Sequence, residues 1–300
     1  MSVTQLVRIV ESFCLEITQE ISTMGLSADA SANLRTVILS FIGHTLANAV
    51  LLSPLNPMRC FYWNQSECSS DQDWICNWLA FAHLHVSILL TCMIIKAESD
   101  GIERVGYICC AIIMCYIMEG IFSIDLLDPV LSVIQCVIYV GILSAIAYFT
   151  YEDPKSINNL LARPVLKKMK SSSSFDQRQK LPIATIAIMM HLLSSFFRVV
   201  DMTFGKGHEG YTGDMSSPIY QSISNFAVCD MMLTCFLLAF ALRFCTTEQH
   251  KLILWGQAVI LFVSQAMLAS SQGEQMEGDM ALAGSIGTFV FILIAILGAL

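Results

Sequence analysis

The chain has 300 residues, of which 55% are hydrophobic and only 13% are charged, and its mean hydropathy is +0.65. Soluble domains carry about 25% charged residues, so this chain has too few charges to cover a surface in contact with water. The composition excludes a soluble globular domain and a disordered chain. A net charge of −8 does not indicate nucleic-acid binding, which needs a basic surface. The lipid bilayer is the expected environment.

The first segment, residues 1–33, is predicted to form a cytoplasmic amphipathic helix. Its polar face carries Glu11, Glu16 and Glu20 against Arg8, whereas helices that lie on lipid are usually basic. We therefore expect it to pack on the protein's own cytoplasmic face or on a protein partner. Its apolar residues recur at three- and four-residue spacing, the pattern of a one-sided helix: Val3, Leu6, Val7, Val10, Phe13, Ile17 and Ile21.

Segments long enough to span a bilayer follow along the rest of the chain. A spanning helix needs about 20 mostly apolar residues. The seventh segment is the weakest, because Gln257, Ser264 and Gln265 interrupt it. The predicted fold class is all-α, a polytopic membrane protein with about eight transmembrane helices. The segments are roughly 35–54, 76–97, 104–123, 127–150, 182–202, 220–244, 251–270 and 281–300.

Basic residues in the loops predict the orientation. The connector 151–181 is read as a basic cytoplasmic linker, and the loop-flanking residues Lys96, Arg104, Arg243 and Lys251 fall on its side of the membrane. The opposite side is rich in acids. We therefore expect both termini to be cytoplasmic, in the plasma membrane or an endomembrane. The basic residues of the connector are Lys155, Arg163, Lys167, Lys168, Lys170, Arg178 and Lys180.

The first outer loop carries two features of the secretory pathway. Asn64-Gln65-Ser66 is an N-glycosylation sequon. Cys60, Cys68 and Cys76 lie close together in the sequence, and two of them could bridge in an oxidising lumen, most simply Cys60 with Cys68. The alternative is a chance sequon with free thiols. We expect a glycosylated Asn64 and a Cys60–Cys68 disulfide.

The two halves of the chain show an internal duplication. His44 and His191 are 147 residues apart, and the same offset separates His83 from Asp230. Residues 34–150 and 182–300 are therefore predicted to be two four-helix repeats. Because each has an even number of helices, the repeats are expected to be parallel, related by an axis along the membrane normal.

Ionisable residues near the bilayer centre are costly and are candidates for a functional site. His44 and His83 lie at similar depth in adjacent helices, as do His191 and Asp230, and Arg198 lies about two turns from His191. We expect His191 to be the partner of Asp230, with Arg198 as a competing partner. The predicted substrate or proton pathway consists of His44, His83, His191, Asp230 and Arg198. No metal site is predicted.

Three classes of function fit these residues. The first is a transporter or channel for a small polar solute or ion, proton-coupled through His, whose ordinary pKa is about 6.5, with its site between the repeats. The second is a non-enzymatic scaffold or accessory subunit. The third is a single-haem electron carrier with His44 and His83 as axial ligands. An enzyme is not favoured, because the sequence has no HExxH, GxSxG or Walker motif. The sequence defines no cofactor.

Overall fold

The computed structural model describes residues 28–65, 67–95, 97, 99–151, 183–204, 216–269 and 278–300. Over these ranges the chain forms eight α-helices, one short 3-10 helix and no strand, so the all-α prediction is confirmed there. The elements are α1 (Ala28–Leu52), η1 (Arg59–Trp63), α2 (Ser70–Ile94), α3 (Ser99–Phe122), α4 (Pro129–Tyr151), α5 (Ile183–Phe204), α6 (Pro218–Phe244), α7 (Thr247–Ala269) and α8 (Gly278–Ala299). Residues 1–27 of the predicted amphipathic segment and 152–181 of the predicted linker lie outside the described residues.

Six of these helices, α1 to α6, are long and apolar enough to cross a membrane. In α8 the apolar stretch is shorter, Gly284–Ala299. Large apolar side chains on the outer faces of the helices are exposed, for example Val137 in α4 and Phe197 in α5. A surface of this kind suits lipid and not water. The helices therefore indicate an integral membrane protein, and eight spans stay a prediction.

Helix starts follow local capping signals and not the onset of apolar residues. We predicted the second span from residue 76, but α2 begins at Ser70. The Ser69 side chain accepts a hydrogen bond from the Gln72 backbone, and the Gln72 side chain accepts one from the Ser69 backbone, which is a capping box. At the start of α4 the Asp128 carboxylate accepts hydrogen bonds from the backbone of Val130 and Leu131.

The packing centres on α2 and α6, which contact each other directly. In α2, 78% of the apolar stretch is buried, against 11% in α4, so α2 is an interior helix and α4 a peripheral one. Helix α1 contacts α2, α3 and α4, and α5 contacts α6, α7 and α8. The end of the bundle where η1 lies, between α1 and α2, is called the η1 end below.

Candidate functional site

A buried ion pair joins the two central helices. Nδ1 of His83 in α2 contacts Oδ2 of Asp230 in α6. Asp230 is fully buried and His83 is 6% exposed, so neither side chain is hydrated by bulk solvent, and the contact is an ion pair only when His83 carries its proton. Removing one charge from such a pair leaves the other unpaired at low dielectric, which costs several kcal/mol. The pair is therefore sensitive to the protonation of either partner.

The sequence-based partner of Asp230 was His191, and that expectation is wrong. Asp230 pairs with His83, because α2 and α6 pack directly against each other at the depth of these two residues. His191 lies in α5 and packs with its ring against Phe291 of α8, at a centroid distance of 5.4 Å. Depth along a helix is readable from the sequence, but the direction in which each helix faces is not.

A row of aromatic rings connects His83 to His44. Tyr116 of α3 stacks on His83 with 5.5 Å between the ring centroids and 14° between the planes. Tyr139 of α4 stacks on Tyr116 at 5.6 Å, and His44 of α1 meets the Tyr139 ring edge-on at 5.3 Å. The Tyr116 side chain also interacts with Asp230. Four helices thus contribute one ring each to a continuous contact.

His44 belongs to a small network of amides. Its Nε2 lies 2.8 Å from Oε1 of Gln135 and 3.4 Å from Nδ2 of Asn48. Gln135 in turn donates from Nε2 to Oδ1 of Asn48 over 3.1 Å. One imidazole nitrogen either donates or accepts, so Nε2 of His44 donates over the shorter contact to Gln135, and its contact with Asn48 is not a second hydrogen bond. The two bonds of Gln135 join α1 to α4. The histidine is hydrogen-bonded to a neutral group and is not held by a carboxylate.

A cavity of about 340 Å³ lies beside this row of rings, towards the η1 end. Its volume is at the lower end of the range for small-molecule sites. Buried His83 and Tyr116 line one part, and Met58 and Phe61, which are 56% and 45% exposed, line another. Asn48 and Gln135 also line it. The cavity therefore leads from exposed side chains at the η1 end to the imidazole of the buried ion pair.

The segment η1 and its disulfide border the cavity. Cys60 and Cys68 are joined by a disulfide, with 5.3 Å between their Cα atoms, and Asn64 is exposed with the left-handed φ of 56°. The Trp63 indole donates to Oγ of Ser222 in α6 over 3.3 Å. These contacts hold η1 against α6. Burial raises the pKa of Tyr62 in η1 to about 12, so this phenol stays neutral in the physiological range.

Arg59, which lines the cavity, already has an anionic partner. Nη2 of Arg59 lies 2.7 Å from Oδ1 of Asp73, and Nη1 donates to Asn77 over 2.6 Å. Among the described residues no Asp or Glu lines the cavity. Its wall therefore carries no unpaired ionic charge that would attract an ion.

Arg198, the last of the predicted pathway residues, lies in a second polar group together with His85, which was not part of the predicted pathway. The Nε2 atom of His85 in α2 lies 2.6 Å from the Nε2 atom of Gln257 in α7. His85 and Arg198 both line a small void of about 20 Å³. Arg198 thus lies beside His85 and not beside Asp230. His83 and His85 face different neighbours, as their two-residue spacing predicts. This second group is closely packed, which is typical of a structural polar cluster.

Tyr116 and Tyr139 were missed by the sequence analysis. Both are buried, at 4% and 8% exposure, and both sit between the predicted histidines. A tyrosine buried near the middle of a spanning helix must place its hydroxyl near a polar partner, which is the signal that could have identified them. Their rings also occupy the space between His44 and His83, so the two histidines do not form a pair of axial ligands for haem.

The fold and the site together define a class, a helical integral membrane protein with a buried His–Asp pair beside a cavity. No protein-family model, no curated protein and no solved structure matches this chain.

Proposed function

We propose that the protein transports a small solute across the membrane and couples this movement to protons. The observation that carries the proposal is the buried His83–Asp230 pair at the inner end of a cavity that reaches exposed side chains. Intramembrane ionisable residues are characteristic of proton relays in pumps and transporters. The transport site is then the cavity together with the ion pair, and His191 and Arg198 have a structural role.

The coupling follows from the chemistry of the pair. When Asp230 accepts a proton, it loses its negative charge and the attraction to His83 across the α2–α6 contact. The attraction that held α2 and α6 in one relative position is then weaker, so the two helices can shift against each other. Loss of the proton restores the pair. Protonation and helix movement are therefore linked in both directions, as coupled transport requires.

The helix contacts also support two parallel repeats as the framework for this movement. Contacts of α1 with α2, α3 and α4 have counterparts in those of α5 with α6, α7 and α8. The edge-on contact of His44 with Tyr139 has a counterpart in His191 with Phe291. Under this proposal α2 and α6 lie nearest the pseudo-two-fold axis, which is where His83 and Asp230, as equivalent residues, would meet.

The test is uptake by proteoliposomes under an imposed pH gradient. The probes are radiolabelled adenine, uracil, glucose, glycerol and glycine, supplied one at a time. We expect at least one of them to enter faster than into empty liposomes, and faster with the gradient than without it. In Asp230→Asn the gradient-dependent part should be lost, since the variant keeps the shape and removes the titrating group.

Glu248→Gln is the matched control, because it neutralises an exposed carboxylate at the start of α7. Its uptake should equal that of the wild type. Size-exclusion chromatography and circular dichroism establish that each variant is folded. Uptake equal to that of empty liposomes for every solute would contradict transport of this class. An unchanged pH dependence in Asp230→Asn would contradict proton coupling.

A further inference from the structure

The cavity has a lining that suits one class of ligand. Of the 17 lining residues, 12 are aromatic, aliphatic or methionine, and the other five carry amide, imidazole or guanidinium groups. Three of the 12 are tyrosines, whose hydroxyls add neutral polar groups to these five. An ion would lose more hydration here than a wall of this composition can replace. A purely apolar molecule would cover the Gln135 amide without making a hydrogen bond to its second N–H. The lining favours a flat apolar body with a hydrogen-bonding edge.

The charge of the ligand follows from the charges around the cavity. Arg59 is already bound to Asp73 and Asn77, and no carboxylate of the described residues lines the wall. An anionic ligand would have to displace Asp73, and a cationic ligand would find no counter-ion. A charge buried without a partner is costly, so the ligand is neutral.

The polar edge of the ligand meets Gln135. In the hydrogen bonds of the described residues, the Gln135 amide uses one of its two N–H groups, towards Asn48, and its oxygen faces His44. The second N–H remains for an acceptor on the ligand. A side-chain amide held in one direction is well suited to recognise the edge of a heterocycle, as Asn and Gln do with nucleobases.

Aromatic side chains are available for the ring faces of the ligand. Phe61 of η1 and Phe226 of α6 both line the cavity, and neither makes a ring contact with another aromatic residue in the described part of the chain. Stacking on an aromatic side chain tolerates many planar rings, because each has a π-face. Phe61 lies at the exposed part of the cavity, where an entering ligand arrives first.

We infer that this cavity binds a neutral aromatic heterocycle with a hydrogen-bonding edge, read by Gln135 and stacked against Phe61. The inference deepens the proposed function, on which it rests, by naming the substrate class. His83 lines the same cavity, but the two side chains that are assigned to ligand recognition, Gln135 in α4 and Phe61 in η1, are not members of the His83–Asp230 pair. Binding at equilibrium can therefore be measured without any transport.

The experiment measures binding of radiolabelled adenine to the full-length protein in lipid nanodiscs at pH 7. We expect saturable binding that unlabelled uracil displaces. Adenosine monophosphate, which is charged, and glucose, which is neutral but not planar, should not displace adenine. Gln135→Leu should weaken binding roughly 2- to 10-fold, the effect of one lost hydrogen bond. Phe61→Ala should weaken it roughly 5- to 100-fold, as expected for one lost stacking contact.

Gln265→Leu provides the matched control, since Gln265 is half-buried like Gln135, bonds to Ser285 over 2.7 Å and does not line the cavity. It should bind adenine as the wild type does. Phe61 is 45% exposed, so its replacement tests the site even if Gln135→Leu fails to fold. Absence of saturable binding, equal displacement by glucose, or wild-type affinity in both variants would overturn the inference. Binding as expected without any uptake by proteoliposomes would support it and overturn transport.

Discussion

At the scale of single residues, the His83–Asp230 pair lies buried between the two central helices. Both side chains are almost completely buried, so neither is in contact with bulk water. Replacing a buried pair by apolar residues is often neutral, whereas removing one partner leaves an uncompensated charge. A buried pair of this kind is therefore weak evidence of added stability.

Single and double substitutions separate these effects. His83→Leu leaves the Asp230 carboxylate without its cation, and we expect it to lower the free energy of unfolding by about 3–5 kcal/mol. The double variant His83→Leu/Asp230→Leu removes both charges and should recover most of this loss. Denaturant unfolding in bicelles measures both. A double variant as unstable as His83→Leu would mean that shape and not charge dominates at this contact.

At the scale of helices, close packing of α7 against α2 depends on a residue without a side chain. A Cβ atom added to Gly256 in α7 would lie 2.8 Å from Cγ2 of Ile88 and 3.1 Å from Sγ of Cys92, both in α2. Ile88 is β-branched, and its Cγ2 is attached directly to Cβ, so it has little freedom to move away. Small residues at such contacts let membrane helices approach closely.

Gly256→Ala is therefore expected to be destabilising. Overpacking costs about 1–3 kcal/mol, and the better helix propensity of alanine offsets up to about 1 kcal/mol of that. Gly141→Ala in α4 is the comparison, because nothing lies within 4 Å of its added Cβ, so only the propensity gain remains. Thermal unfolding in detergent should place Gly256→Ala below the wild type and Gly141→Ala at or above it. The reverse order would contradict the close approach of α2 and α7.

The helices themselves were predictable, and their contacts were not. Hydropathy located all eight described α-helices, because bilayer thickness dictates the length of an apolar run. Helix α2 begins at Ser70, six residues before the predicted residue 76, because the Ser69–Gln72 capping box extends the helix beyond its apolar part. The partner of Asp230 was missed because hydropathy gives depth and not rotation. The cavity depends on η1, which has no periodic signal.

At the scale of the whole molecule, the two halves differ in chemistry although their helices contact one another in parallel ways. In the first half His44 is held by Gln135 beside a cavity. In the second half Nε2 of His191 has no hydrogen-bond partner among the described residues. If the halves are repeats, the first contains a polar site at this position, whereas in the second the equivalent histidine only packs against its neighbours. Function then needs only one site in the first half.

The arrangement of eight spans predicts on which side each loop lies. An even number of spans puts both termini and the 151–181 connector on one side, and the basic residues of the connector predict that this side is the cytoplasm. The η1 end is then in the lumen or outside. In a secretory-pathway host we expect a glycan on Asn64, which is exposed at the end of η1. Asn64→Gln should remove the glycosidase-sensitive mobility shift. The variant Ser172→Asn creates a sequon in the connector, and it should add no glycan.

A tag after Leu300 tests whether the number of spans is even, because neither α7 nor α8 is one of the six long apolar helices. Six and eight spans both leave the tag in the cytoplasm, and the tag distinguishes them from seven. With eight spans, antibody reaches the tag only after the plasma membrane is permeabilised. With seven, the tag is reached on intact cells, while Asn64 is glycosylated in either case. The weak apolar character of α7 has a structural reason under the eight-span arrangement. Gln257 and Gln249 bond to α2, at His85 and at the Met93 carbonyl, respectively, so these polar groups face protein and not lipid. Staining of intact cells would therefore contradict both the eight spans and the parallel repeats.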